Sequence, residues 1–312
     1  MTAPVPTQPR RLAYLGNPAI AVAPLLALHE ASDRLGMEIV VVATAKDRRR
    51  SRRGQPTPTP VGAAAADLGL PVVHDLDAVV ASGADLGVIV AYGRIIPLSV
   101  LDFLPMLNLH FSLLPRWRGA APVERAILAG DAETGVCLMD VAEELDTGVV
   151  RCRVATPVGS DESADELRKR LAGLGSTLLV DALAAGIGEG EPQVGEPTWA
   201  YKIGREDLRL DWSRSSEELH RVVRVGGAHT TFQGEPFKVW QATPCGSPGA
   251  GAGAGAGELV GDVVAVGSEY GSTSGEGGGI RLVEVQPVNR PRMAFDAWAA
   301  GARPTTGEVL GT

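Results

Sequence analysis

The chain has 312 residues, of which 45% are hydrophobic and only 4% aromatic, and its formal net charge at pH 7 is −8. This length suits one large or two ordinary domains with an aliphatic core. The acidic balance gives no general signature of nucleic-acid binding, no run approaches the ~18 apolar residues of a membrane span, and the N-terminus lacks the apolar stretch of a signal peptide. We therefore expect a cytoplasmic protein with no membrane partner.

Three cysteines stand at positions 137, 152 and 245. An odd number without a short spacing argues against a disulfide framework and against a zinc site. Cys137 and Cys152 lie in apolar runs and are interpreted as small buried hydrophobic side chains. The sequence predicts no metal site.

Apolar runs and helical periodicity alternate along the first part of the chain. The predicted strands are 11–16, 37–44, 85–92, 106–112, 135–141 and 149–156. The predicted helices are 19–35, 61–68, 119–129 and one from the capping box at Ser163 to about residue 185. Strands separated by helices predict an α/β domain over residues 1–190, with a mostly parallel sheet and helices on both faces.

The pattern changes after residue 190. Residues 191–207 are rich in Gly and Pro and are predicted to be a linker. Residues 208–312 open with a short helix at Ser215 and close with a helix at 293–303. Between these helices lie strand-like runs at 230–243, 258–266 and 279–288. Several short strands with few helices predict a small C-terminal β-barrel.

The stretch from Asn108 to Gly119, NLHFSLLPRWRG, carries the strongest chemical signal. Side chains alternate along a strand, so Asn108 and His110 are expected on one face. They lie where the strand runs out into a loop, and ligands of open α/β sheets bind at that carboxyl edge. An amide that donates two hydrogen bonds and an imidazole that carries a proton would then face one site.

A carboxylate follows in the turn Leu145-Asp146-Thr147-Gly148. If Asp146 faces the same edge, it would fix the tautomer of His110 and favour its charged form. The amide would then stabilise an oxyanion while the His–Asp pair manages protons, which suits acyl transfer. Each residue alone also has a structural interpretation, since a single strand His is usually structural and Asp before Thr-Gly is common in turns.

The same residues carry a family resemblance. Asn-x-His-x-Ser-Leu-Leu-Pro at 108–115 resembles folate-dependent formyltransferases, and its continuation Arg-Trp-Arg-Gly-Ala-Ala-Pro narrows the resemblance to methionyl-tRNA formyltransferases. The resemblance begins at 12–28, includes 91–97 and 145–148, and closes at 282–293, so it covers nearly the whole chain.

The resemblance implies a Rossmann-like catalytic domain, an OB-like terminal barrel, and formyl transfer from 10-formyltetrahydrofolate to methionine on initiator methionyl-tRNA. It implies Asn108, His110 and Asp146 as catalytic residues. The residues it implies in folate binding are Tyr92, Gly93, Arg94, Ile95, Ser112, Leu113, Leu114 and Pro115. The basic residues it implies in tRNA binding are Arg48, Arg49, Arg50, Arg52 and Arg53. We expect a monomer.

Three departures from the family pattern stand out. The usual Gly-Thr-Pro turn reads Gly16-Asn17-Pro18, the usual Pro-Trp-Pro segment is replaced by Val225-Gly226-Gly227-Ala228, and residues 205–312 hold ten Lys/Arg against thirteen Asp/Glu. Two other hypotheses therefore stay open. One is a formyltransferase whose acceptor is a nucleotide-linked amino sugar, and the other is a non-catalytic folate or nucleic-acid binder.

Overall fold

The computed structural model describes residues 2–49, 55–246, 255–267, 278–305 and 307–311, with only the backbone at Arg48 and Arg49. Two compact units make up the chain. The first comprises Met1–Val123, Ala132–Val158 and Glu166–Tyr201, and the second comprises Glu124–Asp131, Gly159–Asp165 and Lys202–Thr312.

The six longer strands of the first unit coincide with the apolar runs that predicted strands in the sequence. Its strands are β1 (Arg11–Gly16), β2 (Glu38–Ala43), β3 (Arg48–Arg49), β4 (Pro56–Thr57), β5 (Val72–Val73), β6 (Leu86–Val90), β7 (Met106–His110), β8 (Arg118–Gly119), β9 (Glu133–Asp140), β10 (Val150–Pro157) and β11 (Trp199–Ala200). Along β6 every residue is buried, which is the pattern of a strand covered on both faces.

Helices separate these strands, as the 3.6-residue periodicity predicts. They are α1 (Val22–Leu35), α2 (Pro60–Asp67), α3 (Leu76–Ala81), α4 (Leu98–Leu101), α5 (Pro122–Ala129) and α6 (Ala164–Ala185). Residues of α5 from Glu124 onward and the first two residues of α6 belong to the second unit. A 3₁₀ turn at Ala19–Ala21 precedes α1. The Gly36 C-cap of α1 is left-handed, with φ of 61°, a conformation that suits glycine.

Seven strands of the described chain form one sheet in the order β10-β9-β7-β6-β1-β2-β5. The strands β7, β6, β1, β2 and β5 pair in parallel, so their carboxyl ends meet at one edge. By contrast, β9 runs antiparallel to β7, with Asp140 opposite Leu107, and β10 runs antiparallel to β9. The sheet is therefore mostly parallel, as predicted, with an antiparallel hairpin beside β7.

The second unit is a small antiparallel β domain. Its elements are a 3₁₀ turn (Glu206–Leu208), α7 (Ser216–Val225), β12 (His229–Phe232), β13 (Glu235–Gly246), β14 (Leu259–Val260), β15 (Val263–Ala265), β16 (Gly278–Pro287), β17 (Met293–Ala294) and α8 (Phe295–Ala302). Strands β12-β13-β16-β15-β14 follow one another in a curled half-barrel, and β17 pairs with β16.

A cap at the start of α7 and an aromatic contact of α8 stabilise the two helices of the second unit. The helix predicted to open at Ser215 is α7, and it begins with a capping box in which Ser215 and Glu218 bond reciprocally. Trp298 of α8 packs edge-on against Phe232, with ring centroids 5.0 Å apart and an interplanar angle of 84°. Such edge-to-face pairs add to the stabilisation from burial.

The predicted fold class is confirmed: an α/β unit with a mostly parallel sheet precedes a small β domain. The sequence analysis missed the short helices α3 and α4 and the two-residue strands of the first unit, and it began the closing helix at residue 293, where β17 lies. No helix of the described residues is long and apolar enough to span a bilayer. Residues 191–201 of the predicted linker belong to the first unit, and the predicted boundaries at 190 and 207 stay predictions.

Candidate active site

Three polar side chains converge on one face of the sheet of the first unit. Asn108 Nδ2 donates to Asp146 Oδ1 at 3.2 Å, and His110 Nδ1 lies 3.6 Å from Asp146 Oδ2. His110 is 5% exposed and Asp146 is 8% exposed. The structure thus brings together the three residues that the sequence analysis singled out for catalysis, while their catalytic roles stay predictions.

Asp146 reaches this position through an unusual loop. Because β9 ends at Asp140 opposite Leu107, the loop after β9 starts near the amino end of β7 and folds back over the sheet. Asp146 is left-handed, with φ of 55°, which costs energy for a residue with a Cβ. The backbone N–H of Gly119 donates to Asp146 Oδ2 at 2.8 Å, so the carboxylate is held from both sides.

The imidazole of His110 faces oxygen atoms at both nitrogens. The carbonyl of Trp117 can only accept, so His110 Nε2 is the donor of the 2.8 Å bond between them. The 3.6 Å separation between Nδ1 and the Asp146 carboxylate is too long for a hydrogen bond. Nδ1 is therefore the nitrogen that can exchange a proton with a bound molecule, next to a negative charge.

A cavity opens beside Asn108 and Asp146. Its lining includes Arg94, Ile95 and Ile96 after β6, Met139 on β9, and the loop from Val141 to Asp146. The side chain of Ile95 is 82% exposed. Apolar walls with a few polar groups are typical of a small-molecule site. Of the residues predicted to bind folate, Arg94 and Ile95 line this cavity.

The other predicted folate residues play structural parts around it. Ser112 is fully buried and its hydroxyl donates to the carbonyl of Arg116 at 2.6 Å. Leu114 packs with Cys137 and Met139 of β9, and its bond to Pro115 is cis. Leu113 lies against Gly135. Tyr92 is buried, and Gly93 has a φ of 74°. None of these residues lines the described cavity, and their folate contacts stay predictions.

Asn17 is a site-shaping residue that the sequence analysis noted only as a departure from the family's turn. Its Oδ1 accepts from the backbone N–H of Ala45 at 2.7 Å and from the hydroxyl of Thr44 at 3.0 Å, and its Nδ2 donates to the carbonyl of Tyr92. One amide thus ties the loops after β1, β2 and β6 together. The position before Pro18 at the end of β1 was the only sequence signal for this role.

The cysteines offer no nucleophile in this region. Burial raises the pKa of Cys137, and burial followed by the nearby Cys137 raises the pKa of Cys152 to about 11. Both groups are therefore thiols at neutral pH, which are weak nucleophiles. Over the described residues, no cluster of His, Cys, Asp and Glu has the arrangement of a metal site.

The predicted tRNA-binding arginines fall in a region of which the structure describes little. The backbones of Arg48 and Arg49 pair with Thr57 and Pro56 in the small hairpin of β3 and β4. Arg50, Arg52 and Arg53 lie outside the described residues. The role of this basic segment stays a prediction.

The comparisons with known proteins fit this fold. A family model described as formyl transferase matches residues 10–183, and one described as formyl transferase, C-terminal domain, matches residues 202–303. The chain is therefore an enzyme of the formyl transferase class. Related sequences define the family more narrowly.

A methionyl-tRNA formyltransferase of Thiobacillus denitrificans is 39% identical, over 96% of this chain and 99% of the relative. A methionyl-tRNA formyltransferase of Dechloromonas aromatica is 37% identical, over 93% of this chain and 95% of the relative. The chain belongs to the methionyl-tRNA formyltransferase family.

Solved structures share the fold at low identity. HypX from Aquifex aeolicus, solved with tetrahydrofolic acid, has a TM-score of 0.62 and 18% identity over 96% of this chain, which spans 48% of HypX. An N-formyltransferase from Helicobacter canadensis, solved with folinic acid and dTDP-3-aminofucose, has a TM-score of 0.61 and 16% identity over 88% of this chain and 99% of that one. At such identities only the fold is shared.

Proposed function

We propose that the protein transfers the formyl group of 10-formyltetrahydrofolate to the amino group of methionine on initiator methionyl-tRNA. The observation that carries the proposal is the convergence of Asn108, His110 and Asp146, of which Asn108 and Asp146 line a cavity, in a chain of this family. We assign catalysis to residues 1–190, with 191–207 as linker and 208–312 as the part that contacts tRNA, and we expect a cytoplasmic monomer.

The reaction requires the site to stabilise an oxyanion, to remove a proton from the amine and to protonate the leaving folate nitrogen. The neutral amine attacks the formyl carbon, so that a C–N bond forms and the bond from that carbon to the folate nitrogen breaks. The tetrahedral stage carries an oxyanion and a protonated amine. One proton must leave the amine, and one must reach the departing folate nitrogen.

Asn108 can stabilise the oxyanion, and His110 can transfer the protons. One N–H of Asn108 Nδ2 is directed at Asp146, which leaves its second N–H to stabilise the oxyanion. His110 is anchored through Nε2 and presents Nδ1 beside the Asp146 carboxylate. That nitrogen takes the amine proton, and the nearby negative charge stabilises the imidazolium that results. The imidazolium then gives the proton to the departing folate nitrogen, which returns His110 to its neutral form.

The second unit offers a surface that suits RNA. Arg292 stacks on the ring of Trp240, with Cζ 3.3 Å from the ring centroid, and Lys238 Nζ lies 5.5 Å from the same centroid. Two cations around one aromatic ring suit phosphate and base contacts. This local cluster supplies positive charge within an acidic domain. We propose that it contacts tRNA together with Arg48, Arg49, Arg50, Arg52 and Arg53.

A direct assay tests the proposal. Purified protein is given 10-formyltetrahydrofolate and one of three acceptors: methionyl-initiator tRNA, methionyl-elongator tRNA, or a nucleotide-linked amino sugar. Rapid formylation of the initiator tRNA alone is expected. Faster formylation of the amino sugar would show that the nucleotide-linked amino sugar, and not tRNA, is the acceptor. Full turnover by a His110→Ala variant would show that the three polar side chains are idle.

A further inference from the structure

Two polar side chains point inward from a stretch that is otherwise exposed. Gln193 and Thr198 are half-buried, whereas residues 191, 192, 194–197 and 199 are exposed. The two family-model matches end at residue 183 and resume at residue 202, so both side chains lie outside either match. Half-buried polar groups need hydrogen-bond partners, and here the partners are the two loops that surround His110 and Asp146.

The amide of Gln193 uses all four of its hydrogen-bonding positions. Its Oε1 accepts from Arg118 Nη2 at 2.7 Å and from Arg118 Nε at 3.0 Å. Its Nε2 donates to the carbonyl of Asp146 at 2.8 Å and to the carbonyl of Gly148 at 2.9 Å. The reverse orientation would set NH₂ against the guanidinium and oxygen against two carbonyls, so the network fixes the amide.

These bonds hold the backbone on both sides of the Asp146 carboxylate. Asp146 has an unfavourable left-handed conformation, which persists only where surrounding contacts impose it. Gln193 binds the carbonyls of the 146–148 turn, and its partner Arg118 directly precedes Gly119, whose N–H donates to Asp146 Oδ2. Gln193 therefore fixes the 146–148 turn relative to Arg118 and Gly119, the segment whose N–H binds the Asp146 carboxylate.

Thr198 acts in the same way on His110. The peptide between Trp117 and Arg118 accepts from His110 Nε2 through its carbonyl. The N–H of that peptide donates to the carbonyl of Thr198 at 2.9 Å. The preceding N–H, of Trp117, donates to Thr198 Oγ1 at 2.8 Å. Thr198 thus holds the peptide group that orients the imidazole.

We propose that Gln193 and Thr198 are positioning residues for formyl transfer, one for Asp146 and the other for His110. The segment between the two family-model matches is then part of the catalytic apparatus. Neither residue is assigned a contact with substrate. The inference deepens the proposed function and rests on it for the nature of the reaction.

Variants of equal size test Gln193. Gln193→Met removes all four bonds, whereas Gln193→Glu keeps the acceptor for Arg118 but sets a carboxylate against two carbonyls. Both should lower kcat about tenfold to a hundredfold, with KM for folate and tRNA within about twofold of wild type, because positioning acts on the chemical step. Gln8, which is exposed, provides matched controls: Gln8→Met and Gln8→Glu should keep wild-type kcat.

Thr198 is tested by loss and rescue. Thr198→Val removes Oγ1 at nearly constant shape and should lower kcat about tenfold, whereas Thr198→Ser restores the acceptor and the rate. Imidazole ¹⁵N NMR gives a readout that needs no substrate, with the His110 signal identified by its absence in a His110→Asn variant. That signal should shift in Thr198→Val and return in Thr198→Ser.

The outcomes separate the two claims. If the wild-type protein fails to formylate methionyl-tRNA, the proposed function is wrong, and the His110 NMR signal still decides whether Thr198 positions the ring. A folded Gln193→Glu variant with wild-type kcat removes Gln193 from the proposal. Wild-type kcat and an unshifted His110 signal in Thr198→Val remove Thr198. If the Gln193 variants do not fold, the Thr198→Val and Thr198→Ser variants decide. For any of these variants, a kcat that falls only in proportion to the folded fraction overturns the proposal.

Discussion

Gly148 lies against the backbone of Asp140 so closely that no side chain fits between them. A Cβ added to Gly148 would lie 2.0 Å from the carbonyl oxygen of Asp140, far inside van der Waals contact. The two residues stand at the two ends of the loop that carries Asp146. This contact closes the loop and sets where the carboxylate lies.

Gly148→Ala should therefore push the loop away from Asp140. We expect kcat for formyl transfer to fall about tenfold or more, because the Asp146 carboxylate moves relative to His110. Steady-state kinetics and thermal unfolding of the purified variant give the measurement. Gly173→Ala is the control: a Cβ added to this helical glycine meets nothing within 4 Å, so the change should stabilise by about 0.5–1 kcal/mol and leave kcat unchanged. A fully active Gly148→Ala enzyme would contradict the geometry.

The ion pair of Arg125 and Asp207 should make the second unit sensitive to acid. Arg125 Nη1 lies 2.7 Å from Asp207 Oδ1 and Nη2 lies 3.1 Å from Oδ2. The Arg125 hydrogen bond, followed by that from Gly204, lowers the pKa of Asp207. A lowered carboxyl pKa contributes stability above the pKa of the unfolded chain, about 4, and this stability is lost as the pH falls through the folded pKa.

Asp207→Asn should thus cost about 1–2 kcal/mol of unfolding free energy near pH 7, and the difference from wild type should shrink as the pH falls below about 4. Urea titrations followed by tryptophan fluorescence measure it. Asp262→Asn breaks an exposed pair with Arg281, 3.2 Å long, and should change stability by less than about 1 kcal/mol. A pH-independent difference for Asp207→Asn would refute the linkage.

The sheet was predictable because its strands are short apolar runs between helices of clear periodicity. The short helix α3 was not, although Asp75 caps it by accepting from the N–H of Ala78 at 2.8 Å, because six residues are too few to show a period. The antiparallel direction of β9 could not be predicted from the sequence either. A strand pattern gives no orientation, and only the pairing of Asp140 with Leu107 shows that the loop after β9 begins at the opposite end of β7.

Arg292 should contribute to tRNA binding through its place beside Trp240. Arg292→Gln is expected to weaken binding of methionyl-tRNA and to reduce the slope of log K against log salt by about one, the value for one phosphate contact. Filter binding between about 50 and 200 mM salt measures both. Arg303→Gln, an exposed position of the same unit, is the control. Equal slopes for Arg292→Gln and wild type would remove this cluster from the tRNA surface.

The basic segment makes a larger prediction of the same kind. Replacing Arg48, Arg49, Arg50, Arg52 and Arg53 by Gln should raise KM for tRNA and flatten its salt dependence, since up to five phosphate contacts are lost. KM for 10-formyltetrahydrofolate should stay near wild type. Kinetics at several salt concentrations make the test, and an unchanged salt slope would exclude the segment from tRNA binding.

The site was predictable only where residues lie close in sequence or carry a family motif. Asn108 and His110 share a face because strands alternate, and the motif around Asp146 carried the resemblance. Gln193 had no such signal: it lies 47 residues from Asp146 and 75 from Arg118, in a Gly- and Pro-rich stretch without periodicity. Long-range polar contacts of this kind follow from the folded path and not from any local pattern.

The most direct test is the single-turnover rate of Asp146→Asn with saturating 10-formyltetrahydrofolate and methionyl-tRNA. The account predicts a loss of about 10²–10⁴-fold in the rate of formyl transfer, with folate affinity nearly unchanged, because the carboxylate acts through His110 on the reacting atoms. A wild-type rate, or a loss of folate affinity as large as the loss of rate, would contradict it.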